Sequence, residues 1–124
     1  FLDMDWHTLE EPIEKDPIEF ETQSMEKIDL IPEIVVRYRS PYFSHIFAGG
    51  YSAGYYSYIW AEVLDADAFE AFKQKGLFDQ ETAQALREYI YSAGGTDEPM
   101  ELYKKFRGHE PEVEPLLRRK GFIE

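Results

Sequence analysis

The stretch Phe43-Ser44-His45-Ile46-Phe47-Ala48-Gly49-Gly50-Tyr51-Ser52-Ala53-Gly54-Tyr55-Tyr56-Ser57-Tyr58 decides how the chain is read. A histidine precedes a Gly-Gly pair, and four tyrosines then follow within eight residues. Gly49 and Gly50 allow the backbone to bend where a side chain would forbid it. A helix starting near Tyr51 would place Tyr51, Tyr55 and Tyr58 on one face, since their spacings are four and three. Each phenol hydroxyl needs a partner once it leaves water, so a core has little use for a row of them. A flexible glycine turn beside neutral phenol donors therefore points to a binding or catalytic wall. The plainer reading is an aromatic core stripe with its hydroxyls at the rim.

Bulk properties narrow the function. The 124 residues suffice for one domain-sized unit, and a hydrophobic content of 44% is not that of a disordered chain. A net charge of -12 argues against nucleic acid or an anionic membrane surface as the main partner. Without cysteine there is neither a disulfide framework nor a thiolate metal site. No apolar run reaches the length of a membrane span, and no signal-peptide pattern opens the chain. Phe1 to His7 begins inside an amphipathic pattern, with Leu2, Trp6 and Leu9 on one face. This reads as the last turns of a longer helix, so the chain is expected to be a fragment of a larger protein.

The rest of the chain is punctuated for helices. Pro17 suits a first helical position, and Phe20 to Ile31 is weakly helical with Met25, Ile28 and Ile31 on one side. Ile34 to Val36 is a short β-prone run, followed by Arg37 and Arg39. These arginines either neutralise nearby carboxylates, which the pattern favours, or form a fork for a substrate carboxylate. Tyr42 to Phe47 predicts a short helix ending at Gly49-Gly50. Residues 52–75 give the longest helical pattern, with Tyr56, Trp60, Val63, Leu64, Ala68 and Phe72 as its apolar face and Gly76 as its stop. Asp79 is expected to cap a helix over Gln80 to Ser92, with Ala83, Leu86 and Ile90 inward. Thr96 or Asp97 caps the next, which Gly108 ends. Pro111 opens the last, and Arg118, Arg119 and Lys120 stand at its C-terminus as a cap. The whole predicts an all-α chain of about five or six helices joined by short turns. His7, His45 and His109 lie far apart and form no His-x-x-x-His pair, so they predict no metal site.

From Tyr38-Arg39-Ser40-Pro41-Tyr42-Phe43 through His45 and Gly49-Gly50-Tyr51 to Tyr58-Ile59-Trp60, the chain closely resembles the zinc metallopeptidases of the thimet oligopeptidase family. The resemblance continues through Ala66 to Phe69, Gly76-Leu77-Phe78, Lys105 to Gly108 and Leu116 to Phe122. The run before His45 is most like the peptidyl-dipeptidase branch. The resemblance implies the C-terminal portion of a larger, mostly helical catalytic domain, with the zinc ligands and the general base upstream of Phe1. It implies short peptides as substrates, and release of C-terminal dipeptides or, alternatively, cleavage of internal bonds. Carried over by position, His45, Tyr51 and Tyr58 would serve the tetrahedral intermediate, and Tyr55, Gly49 and Gly50 would hold the substrate. Phe47 is an extra residue between His45 and Ala48 relative to the animal members. Apart from the resemblance, Arg39 is a candidate receiver of a substrate C-terminal carboxylate, a role suited to an enzyme that removes C-terminal dipeptides. The fragment alone is expected to be inactive, to expose the apolar surface that meets the rest of its chain, and to self-associate. A cytoplasmic location is expected, with the periplasm as the alternative. The rival from another class is a non-catalytic helical interaction domain.

Overall fold

The computed structural model describes residues 1–124 as two compact units, Phe1–Tyr58 and Ile59–Glu124. Both are helical and neither contains a strand, so the all-α expectation holds. No helix is long and apolar enough to cross a membrane.

The first unit contains α1 (Leu2–His7), α2 (Pro17–Glu26), a 3₁₀ turn (Ser40–Tyr42) and α3 (Ser44–Phe47). Asp16 caps α2 by accepting from the N–H groups of Ile18 and Glu19, with Pro17 in the first turn as expected. The core joins Leu2, Phe20, Phe43 and Ile46, with Trp6, Met25, Val36, Tyr38 and Tyr55 packed against it. Trp6 packs against Phe20 with ring centroids 3.9 Å apart and planes tilted by 35°, and its indole N–H donates to Ser40 Oγ at 3.0 Å. That single side chain thus ties α1 to α2 and to the 3₁₀ turn.

One expectation fails here. α2 stops at Glu26 rather than reaching Ile31, and Ile28 and Ile31 are exposed. Asp29 takes a left-handed φ of +53° and the Leu30 N–H returns to the Met25 carbonyl. An aspartate tolerates that conformation far better than a β-branched residue, so it ends the helix without a glycine. Ile34 to Val36 forms no strand. Propensity alone does not make one where no neighbouring strand offers a ladder.

The second unit is built on α4 (Ser57–Lys75), whose first two residues belong to the first unit, with α5 (Gln80–Leu86), a π turn (Arg87–Tyr91), α6 (Pro99–Arg107) and α7 (Glu114–Arg119). α4 buries Val63, Ala66, Asp67 and Ala71, while Tyr56 and Trp60 of the expected apolar face are exposed. Small residues form its inner seam and allow close approach. Val63 and Ala66 pack with Leu116 of α7. Asp67 is fully buried. It accepts from the Tyr103 hydroxyl at 2.6 Å and from Arg107 at 2.9 and 3.2 Å, locking α4 to α6.

Gly76 ends α4 and Gly108, at φ +83°, ends α6, both as expected. Asp79 caps α5 through the Thr82 N–H and hydroxyl. The unit departs from the sequence expectation at five points. Thr82 rather than Ala83 is buried, and the α5 pattern relaxes into the π turn before Ser92. Neither Thr96 nor Asp97 caps α6; Asp97 binds Lys105 instead. α7 starts at Glu114 with Pro115 in its first turn, leaving Pro111 outside. Arg119 and Lys120 reach Asp65 and Glu62 on α4, so these basic side chains bridge helices rather than cap one.

Candidate active site

The first unit gathers the tyrosines of the opening stretch, by a route the spacing did not predict. α4 begins at Ser57, not near Tyr51, and residues 52–56 form turns. Tyr51 and Tyr55 therefore lie on the turns and Tyr58 in the first turn of the helix. Their rings still converge. Tyr51 stacks on Tyr58 at 5.2 Å, Tyr55 lies 5.0 Å from Tyr58, and Tyr51 and Tyr55 are 6.4 Å apart.

Glycine is required where the path bends. A Cβ on Gly49 would sit 2.8 Å from the His45 Cα and 3.0 Å from its carbonyl oxygen, so only glycine lets the chain fold back on α3. Gly50 then takes φ +81°. The Tyr51 N–H closes this bend on the His45 carbonyl at 3.0 Å. Beyond it, the Gly54 N–H donates to the Tyr51 carbonyl and the Ser52 hydroxyl to the Ile46 carbonyl.

His45 faces the same cluster, with ring centroids 5.0 Å from Tyr38, 5.6 Å from Tyr55 and 6.2 Å from Tyr51. Its Nδ1 is buried without a hydrogen-bond partner. Buried polar atoms are nearly always satisfied, so this one is an exception within the cluster. Tyr58 is 48% exposed and forms the open side of the cluster. Its phenol is pushed above the usual tyrosine range, first by hydrogen bonding with the Tyr51 side chain, then by burial and the adjoining phenols. It is thus a neutral donor throughout the physiological range.

Arg39 is arranged as the charge pattern favoured. Its Nε–H donates to Glu21, a buried carboxylate that also accepts from the Ser40 N–H at 2.8 Å. Arg37 lies over the Tyr38 ring at 5.3 Å. Nowhere do three or more His, Asp or Glu side chains converge in a group able to hold a metal ion. The residues of this chain therefore do not themselves fit a zinc site.

Two contributors escaped the sequence reading. Tyr38 stacks on Phe43 at 5.3 Å and closes the cluster behind His45. Asp3 is 5% exposed and accepts from the Ala53 and Tyr55 N–H groups, both at 2.9 Å. The local signal for Asp3 was an acid four residues before His7; its other partners are some fifty positions away and leave no trace in spacing.

This arrangement can be compared with known proteins. The model of peptidase family M3 matches residues 1–122. The chain is 44% identical over 123 residues, 97% of its length, to the dipeptidyl carboxypeptidase of Salmonella typhimurium, of which it covers 18%. It is 56% identical over 86 residues, 68% of its length, to oligopeptidase A of Haemophilus influenzae, of which it covers 13%. A thimet-like oligopeptidase of Dictyostelium discoideum is 34% identical over 79 residues, 64% of the chain and 12% of that protein. The chain thus spans less than a fifth of the length of these relatives. With a family match that runs through both helical units and the whole tyrosine cluster, the chain belongs to peptidase family M3.

Proposed function

We propose that these residues are the C-terminal helical part of the catalytic domain of a zinc metallopeptidase acting on short peptides. Zinc, when bound in such an enzyme, activates water for attack on the scissile carbonyl. Its ligands and the general base would be supplied by residues outside this chain. The observation that carries the reading is the convergence of Tyr51, Tyr55, Tyr58 and His45 on one cluster with an open phenol and an unpartnered imidazole nitrogen.

In this reading Tyr58, with Tyr51 beside it, donates to the oxyanion that develops as the carbonyl becomes tetrahedral. His45 provides a further contact to the intermediate. Tyr55 and the backbone at Gly49 and Gly50 hold the peptide, and the glycines let the loop close over it. Residues Tyr56, Tyr58, Ile59 and Trp60 present a run of exposed aromatic and apolar side chains. That run suits a surface covered by the rest of a longer chain, and the 124 residues made alone are expected to be inactive and to self-associate.

Release of C-terminal dipeptides is favoured by the match over nearly all of the chain to a dipeptidyl carboxypeptidase. Cleavage of internal bonds is the second reading, favoured by the higher identity to oligopeptidase A. The test is to treat an N-terminally blocked short peptide with the full-length peptidase and identify products by mass spectrometry, with and without a chelator. Chelator-sensitive loss of C-terminal dipeptides is expected. Internal cuts alone would assign the second reading, and no chelator-sensitive cleavage would overturn both.

Arg39 is proposed to receive the substrate's terminal carboxylate through its Nη groups, while Glu21 holds its Nε. Arg39→Ala should then lower kcat/KM about tenfold or more for a free C-terminus and much less for the amidated peptide. An equal loss on both substrates would reduce Arg39 to its ion pair with Glu21.

A further inference from the structure

We infer that Asp3, oriented by His7, is a positioning residue for the tyrosine loop, an inference that rests on the catalytic reading of Tyr58. Asp3 lies on α1, whereas the tyrosines follow α3, some fifty residues later. Its two carboxylate oxygens are used separately. Oδ1 accepts from the Ala53 N–H and Oδ2 from the Tyr55 N–H, each at 2.9 Å. These two amides flank Gly54, so one carboxylate spans the turn that carries Tyr55 and leads into Tyr58.

The turn needs such a clamp. Ala53 holds φ +52°, a left-handed conformation that a residue with a Cβ adopts only at a cost. Asp3 repays it with a charge-assisted hydrogen bond to that same residue. The next bonds in the chain hand the constraint onward: the Ser57 N–H donates to the Gly54 carbonyl and the Tyr58 N–H to that of Tyr55. The backbone that aims Tyr58 is therefore referenced to Asp3 through two successive turns.

His7 sets the carboxylate in turn. Its Nδ1 lies 2.9 Å from Asp3 Oδ1 and 2.8 Å from the Asp3 carbonyl oxygen. Both neighbours are acceptors, so Nδ1 carries the proton and His7 donates. The imidazole is partly exposed and rests against Phe47 at 5.6 Å between centroids. Asp3 and His7 touch no substrate in this reading; they fix where the phenols stand.

The test is kinetic and uses the full-length peptidase, with rates normalised to titrated active sites. Asp3→Asn keeps the shape but can accept only one of the two loop amides, leaving the other unpaired. It is expected to lower kcat about tenfold to a hundredfold, as misplacement of catalytic groups does. In a Tyr58→Phe background the same change should cost less than about threefold, because the group being aimed is gone. His7→Ala, at a partly exposed position, should lower kcat about threefold or more with the same dependence on Tyr58. It serves where Asp3→Asn does not fold. Losses of equal size with and without the Tyr58 hydroxyl would make Asp3 and His7 structural only and overturn the inference, as would unchanged kcat in both variants. If Tyr58→Phe itself leaves kcat unchanged, the catalytic reading of Tyr58 fails instead.

Discussion

Asp67→Ala is expected to cost the second unit about 3–5 kcal/mol of stability, the range for removing one partner from a buried ion pair. Asp67 is fully buried, and the Arg107 side chain beside it is 6% exposed. The loss is large because Arg107 would remain inside without its acceptor, and the Tyr103 hydroxyl would keep only the Leu64 carbonyl at 3.2 Å. Urea unfolding gives the number. Joint replacement, Asp67→Leu with Arg107→Met, should recover most of it, since no charge is then stranded. Acid exposes the same linkage. Burial pushes the Asp67 carboxyl up, but the Arg107 and Tyr103 hydrogen bonds and the Arg107 charge outweigh it and hold the group below its usual range. Its contribution is thus complete above the ordinary carboxylate value of about 4 and is lost as pH falls through the lower folded value. The wild-type chain should lose stability steeply below about pH 4, and the joint variant less so.

What the sequence made legible follows from how local each cause is. Helix stops at Gly76 and Gly108, the cap at Asp79 and Pro17 in the first turn of α2 depend on residues within one turn, and all four are found. The bend at Gly49-Gly50 is of the same kind. The tyrosine cluster was legible as a set, although its helical explanation was wrong: the left-handed Ala53 and the Asp3 clamp impose turns where the spacing alone suggested a helix. Long-range pairings stayed hidden. Nothing near Asp67 in sequence announces Arg107, forty positions on, so a charged residue was not expected in the seam of α4. The same distance concealed Asp3. On α4 the expected apolar face holds at Val63, but the other buried residues are Ala66, Asp67 and Ala71, whose small or charged side chains give little apolar signal, while Tyr56 and Trp60 are exposed.

The second large effect is Tyr58→Phe in the full-length peptidase, expected to lower kcat about 10²–10³-fold, as loss of one oxyanion donor does. The substitution keeps the ring and its stacking on Tyr51 and removes only the hydroxyl. Tyr58 is at the open side of the cluster, so no core packing is disturbed. Substrate binding should change little, because the hydroxyl is used chiefly when charge develops on the carbonyl oxygen. The neighbours raise the Tyr58 phenol above its usual range, so its donor role should persist to higher pH than an ordinary tyrosine would allow. The direct measurement is therefore kcat and KM for the wild type and Tyr58→Phe on one blocked peptide, near neutral pH and with active sites titrated. A fall in kcat of about a hundredfold or more with KM within a few-fold agrees with a transition-state donor on this wall. A fall of less than about threefold would leave the cluster as packing and contradict the account.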